Sequence, residues 1–151
     1  MVRNKLALLF ELEHRDPIAG HPRANEEVPD FFERVGYLVS RGHLAAEDFW
    51  NDARPVVRFY WGVLAPYIEH DRAVSGDPTI YHWFEWLELE MRRIDVKRTG
   101  QAAVFDPATR ATEIAARIAI FRSLMQRDSE GWTGPVPAHD VTRRVVSAPS
   151  P

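Results

Sequence analysis

Apolar positions along this chain recur at helical rather than strand spacing, and six segments carry the pattern. The first, from about Val2 to Arg15, is apolar at Leu6, Leu9, Phe10 and Leu12 and ends before Asp16-Pro17. Residues 16–25 read as a loop, because Gly20 and Pro22 punctuate it. The second helix opens near Asn25, a suitable cap, with Glu26 and Glu27 complementing the N-terminal dipole. Its stripe is Phe31, Val35, Leu38 and Val39, and Gly42 falls where a left-handed C-terminal cap is wanted. A short third helix, about Leu44 to Ala53, presents Leu44, Phe49 and Trp50.

Pro55 is expected to open a fourth helix, since its missing N–H is harmless in a first turn. From Val56 to Ile68 this segment is apolar on nearly all sides, which marks a central helix that Pro66 should kink or end. Ser75-Gly76-Asp77-Pro78 is the clearest boundary, with Asp77 placed to cap and Pro78 to fill the first helical position. A fifth helix then runs to about Lys97 on a stripe of Ile80, Trp83, Phe84, Leu87, Met91 and Ile94. Asp106-Pro107 repeats the start signal ahead of a sixth helix carrying Ala111, Ile114, Ile118, Phe121 and Met125. Beyond Arg127 come glycine, four prolines and scattered serine, the composition of a loose tail. The expected fold is all-α: a single-domain bundle of five to six helices over residues 1–127, with a 128–151 tail. The fourth and fifth helices should form a central kinked hairpin.

Composition narrows the chemistry. A 151-residue chain can form one domain without staples. It has no cysteine, so disulfides, thiolate metal sites and a cysteine nucleophile are excluded. The net charge of −3 supplies no global positive field for nucleic acid. Seventeen of the nineteen basic residues are arginine, a bias that fits high-GC codon usage. The apolar run from Leu6 to Phe10 is stopped by Glu11, short of a signal-peptide core or of the ~20 residues a membrane span requires. A cytoplasmic protein is the expectation.

Between about residues 30 and 89 the chain resembles a bacterial family of small helical proteins of unknown function. Phe31-Phe32, Gly36, Leu38, Gly42 and Leu44 carry the likeness first. It continues through Trp61, Leu64, Pro66, Ile68 and Arg72, and closes on Pro78, Tyr81, Phe84, Glu85 and Leu87. Members of that family often sit behind one N-terminal membrane helix, which this sequence lacks. The resemblance implies a helical fold and no particular activity.

Arg72 and Glu85 are the first polar residues to single out, because an antiparallel hairpin across residues 75–77 brings them together at its mouth. An arginine fork matches a carboxylate, so the pair can fix register, or it can grip an anionic ligand. Glu11-x-x-His14 has the spacing used by carboxylate-bridged di-iron bundles, and His82-x-x-Glu85 carries the same residues in reverse order. Such a site needs two correctly ordered units and two more inward glutamates, so no metal or cofactor is expected. Tyr60, Trp61, Tyr67, Tyr81, Trp83 and Trp86 are dense for two helices. They read as core, as an interface, or as a flat-ligand cleft between the fourth and fifth helices. Trp86 lies off the apolar stripe and is the one to face a partner chain. Arg92, Arg93, Lys97 and Arg98 suit a helix C-terminus, and Arg110, Arg117, Arg122 and Arg127 read as a solvated face. No Gly-x-Ser-x-Gly elbow or Gly-rich phosphate loop is present.

The expected function is therefore non-enzymatic: an interaction or regulatory module that self-associates or binds another protein. The alternative is a small-molecule-binding bundle or an enzyme, using the aromatic cleft with Tyr81, His82, Arg72 and Glu85 as polar contacts. Nucleic-acid binding ranks third.

Overall fold

The structure is a computed structural model that describes residues 2–14 and 26–130. Among the described residues there are five α-helices, one short 3-10 turn and no strand. The helices are α1 (Val2–His14), α2 (Glu27–Ser40), α3 (Ala46–Ser75), α4 (His82–Thr99) and α5 (Arg110–Glu130). They form a single helical bundle, in keeping with the all-α reading. The loop expected at 16–25 lies outside the described residues, as does the expected tail beyond Glu130. Residues 128–130, assigned to that tail, continue α5.

The expected third and fourth helices are one. α3 runs for 30 residues straight through Pro55 and Pro66, about 45 Å at 1.5 Å per residue. Each proline removes one N–H from the ladder. Both are exposed, while Trp50, Val57, Phe59, Val63 and Leu64 on the other side are buried. Packing on that side holds the helix through the breaks, so local propensity is overridden. The break comes instead at Gly76, whose φ of 71° gives the left-handed residue that ends α3.

Asp77 caps a turn rather than α4 itself. Its Oδ1 accepts from the Thr79 amide at 2.8 Å and from the Thr79 hydroxyl at 2.6 Å, and α4 starts only at His82. At the other end of α2 the expected cap forms: the His43 amide donates to Leu38 O and the Gly42 amide to Val39 O, with Gly42 at φ 73°. Asp106 behaves as expected too, accepting from the Ala108 amide at 2.9 Å where the 3-10 turn leads into α5.

α3 and α4 run antiparallel as a hairpin, with Arg72 opposite Glu85 at the mouth and Trp50 opposite Asp95 at the far end. α2 packs closely along α4, and α1 pairs with α5. The α2–α4 approach depends on Gly36: a Cβ there would lie 2.1 Å from the Trp83 carbonyl oxygen. The core sits around α3, where Tyr60, Val63, Leu64, Tyr67 and Ile68 are almost wholly buried. α1 contributes Leu8, Leu9 and Leu12. Leu8 was missed by the expected stripe, which spaced the first helix from Leu6 instead.

The arginines of α5 correct a further expectation. Arg110 donates to Leu12 O at 2.9 Å and to the Tyr67 hydroxyl at 3.2 Å. Arg117 lies 4.0 Å from the Phe59 ring and Arg122 4.9 Å from that of Phe10. These three face the bundle rather than form a purely solvated strip, because a guanidinium on a long stem can cover an aromatic face while its edge stays polar.

Candidate functional site: an acidic and aromatic groove along α2

The six aromatic residues expected to share one cleft are distributed by the fold. Tyr60 and Tyr67 are core, at 1% and 0% exposure. Trp61 and Trp86 are half-buried against the core, with Trp61 edge-on to Phe84 at 5.2 Å. Trp83 and Tyr81 reach the surface beside α2. The cleft expected between the fourth and fifth helices is therefore not lined by this group. Tyr60 instead borders a largely apolar cavity of about 210 Å³ between α1, α2 and α3.

Where Tyr81 and Trp83 emerge, two shallow depressions lie along α2, with Glu33 lining both, and together they make up the α2 groove. One, of about 450 Å³, is lined by Glu33, Arg34, Tyr37, Leu38 and Trp83. The other, of about 380 Å³, is lined by Glu26, Asp30, Glu33, Asp71, Ile80 and Tyr81. The α2 wall is set by helical periodicity, since Glu26, Asp30, Glu33 and Tyr37 recur every three or four residues. The opposite wall is the hairpin mouth and the first turn of α4.

Tyr81 is the hinge of that wall. It is the non-glycine residue at positive φ, 52°, among the described residues, a conformation that costs an L-residue about 1–2 kcal/mol. Such strain often marks functional positions. Its hydroxyl donates to Asp30 Oδ1 at 3.3 Å. Burial first, then the Asp30 and Glu26 charges, push the phenol far above its ordinary pKa, so it stays a neutral donor. Glu33 Oε2 accepts the Phe84 amide at 2.8 Å, satisfying an N-terminal donor of α4 from another helix. Arg72 supports the turn beneath: its Nε donates to Ile80 O at 2.8 Å and its Nη1 to Glu85 Oε2 at 2.8 Å. The expected Arg72–Glu85 contact is thus made, though through one guanidinium nitrogen rather than as a two-point fork.

At its other end the groove is aromatic. Trp83 stands edge-on to Tyr37 at 5.8 Å, to Trp86 at 6.2 Å and to His82 at 5.0 Å. Tyr37 is 43% exposed and Leu38 37%. Four carboxylates (Glu26, Asp30, Glu33, Asp71) against one guanidinium (Arg34) leave the groove strongly acidic.

Of the sequence-derived site residues, Tyr81 and Trp83 line the groove, Arg72 and Glu85 brace it, and His82 and Trp86 flank Trp83. Asp30, Glu33 and Tyr37 were missed. The signal was a second stripe on α2, turned away from the one that packs inward, which reading for the core alone passes over. His14 binds Phe10 O at 2.9 Å and is exposed. Among the described residues, no group of three or more His, Asp or Glu side chains is placed to hold a metal ion. The basic run at the end of α4 is dispersed: Arg93 pairs with Glu90, Lys97 with Glu47 and Arg98 with Asn51. No helix among the described residues is long and apolar enough to cross a membrane. Comparison with protein-family models, with curated proteins and with solved structures finds no match.

Proposed function

We propose that this protein acts as a protein-interaction module whose docking site is the groove along α2, and that its partner is a basic segment with an apolar anchor. The observation that carries this reading is that Glu33 lines both depressions, so a Tyr37–Trp83 aromatic pair and a cluster of four carboxylates lie on the same face of α2. Aromatic side chains anchor interfaces, and opposite charge at the rim steers the encounter. An apolar side chain against Tyr37, Leu38 and Trp83, with lysine or arginine over Asp30 and Asp71, satisfies both ends. The likeness of residues 30–89 to small helical bacterial proteins is compatible with such a role and supplies no rival activity.

Selection from a random peptide library on the full chain tests it. Enriched peptides should pair a large apolar residue with basic residues, and Trp83→Ala should weaken their binding by about tenfold or more. Asp30→Asn with Glu33→Gln should chiefly slow association and flatten its salt dependence. Peptides without that pattern, or indifference to Trp83→Ala, overturn the proposal. So does sedimentation showing that the groove is occupied by a second copy of this chain.

A further inference from the structure

The α3–α4 hairpin carries another concave site, at the end away from its mouth. This cleft has a volume of about 350 Å³, within the range of small-molecule sites. Arg54 and Arg58 line it from α3, Glu88, Met91, Arg92 and Asp95 from α4, and residues 101–103 close one side.

Most of its charges are already committed. Asp95 is 3% exposed and fully engaged: Oδ1 accepts from the Trp50 indole at 2.8 Å and from Arg54 Nη1 at 2.9 Å, and Oδ2 from the Ala103 amide at 3.1 Å. Arg54 also lies 4.4 Å from the Trp50 ring centre. Glu88, 2% exposed, accepts from Arg92 Nε.

Arg58 is different. It lines the cleft with no hydrogen-bond or ion-pair partner among the described residues, and its Nε is buried without an acceptor. A buried donor left unmade is costly, and a guanidinium more so than a neutral group. Its neighbour Arg117 is a like charge: burial chiefly lowers the Arg117 pKa, and Arg58 lowers it further, against the opposing pull of Tyr60 and Glu113. Three guanidiniums against two carboxylates leave the cleft one positive charge in surplus.

We infer that this cleft binds a small molecule bearing a carboxylate or phosphate, its oxyanion held by Arg58 with Arg92 beside it and its apolar part against Met91. An oxyanion in the cleft supplies acceptors to the part of the Arg58 guanidinium that lines it and balances the surplus charge, offsetting the cost of the unpaired, buried Nε. Glu88 and Asp95 hold Arg92 and Arg54 in place, so the guanidiniums flanking Arg58 are fixed before the ligand arrives. The site is separate from the α2 groove, and the two stand or fall independently.

Titration of the full chain with inorganic phosphate and, separately, with benzoate, at constant ionic strength, tests this. Calorimetry and the arginine Nε–Hε signals in nitrogen–proton correlation spectra are the readouts. Saturable binding by either probe, centred on the Arg58 signal, is expected, and the stronger of the two assigns the class of oxyanion. Arg58→Met should weaken it by about tenfold or more, while Arg93→Met, outside the cleft, and Trp83→Ala, in the groove, leave it unchanged. Arg58→Lys keeps the charge but loses the fork and should bind at an intermediate strength; it also serves if Arg58→Met does not fold. Failure of both probes to saturate, shifts centred elsewhere, or wild-type affinity in the Arg58 variants would overturn the assignment.

Discussion

Trp50 and Asp95, 45 positions apart, are joined by a 2.8 Å hydrogen bond that closes the far end of the α3–α4 hairpin. The same carboxylate holds Arg54 and the Ala103 amide, so one buried side chain ties α3, α4 and the following loop together. Asp95→Ala strands an indole N–H, a guanidinium and a backbone amide at once. A loss of about 3 kcal/mol is expected, with Asp95→Asn losing less. Urea denaturation measures both, and a near-wild-type midpoint for the alanine variant contradicts this role.

Arg72 and Glu85 should differ in their effects. The Glu85 side chain is 41% exposed, so its ion pair is partly screened, and Glu85→Gln should lower stability by about 0.2–1 kcal/mol. Arg72 is more buried and also holds Ile80 O, so Arg72→Met should cost more, about 1–2 kcal/mol. Melting temperatures of the two variants give the order directly; equal losses would mean the Ile80 contact contributes nothing.

Gly36 should tolerate no side chain. With a Cβ 2.1 Å from a backbone oxygen of α4, Gly36→Ala must push the two helices apart, at a cost of about 1–3 kcal/mol. Because Trp83 carries that oxygen, its fluorescence should change in the folded variant as well. An unshifted melting point excludes the close α2–α4 approach.

Glu88 gives stability a pH dependence. Burial pushes its carboxyl above the usual range, against the pull of Arg92. A carboxyl whose pKa is raised by folding favours the folded state while protonated, and that contribution is lost as pH rises through the folded pKa. Glu88→Gln removes the dependence, so the variant should gain on the wild type over the pH interval that begins at the ordinary carboxyl value of about 4.3 and runs upward through the raised one. Parallel urea titrations across that interval check it; a constant difference would show that Arg92 fully offsets burial.

Periodicity and punctuation made much of the fold legible. The α2 terminus at Gly42, the hairpin turn at Gly76 and the start of α5 at Asp106 are settled within a few residues, by backbone conformations and capping bonds that glycine and aspartate favour locally. The arrangement of the candidate sites was less legible. Arg72, Tyr81 and Trp83 could be picked out one by one, but Asp30, Glu33 and Tyr37 gain meaning only once α2 lies against α4. Glu88 and Asp95 were passed over for the same reason: they extend the inward stripe of α4, and a carboxylate there reads as an interruption until its partners arrive from α3 and the 101–103 loop.

By itself, the sequence determined that this chain is helical, where most helices turn, and which faces are apolar, because those are matters of contacts three or four residues apart. The tertiary structure alone decided that α3 passes unbroken through two prolines, that Arg117 and Arg122 lie against aromatic rings, and that Arg58 is left without an acceptor among the described residues. Each of those depends on what distant segments place beside a residue. Burial and pairing energies of that kind exceed local preference, and no spacing along the chain encodes them.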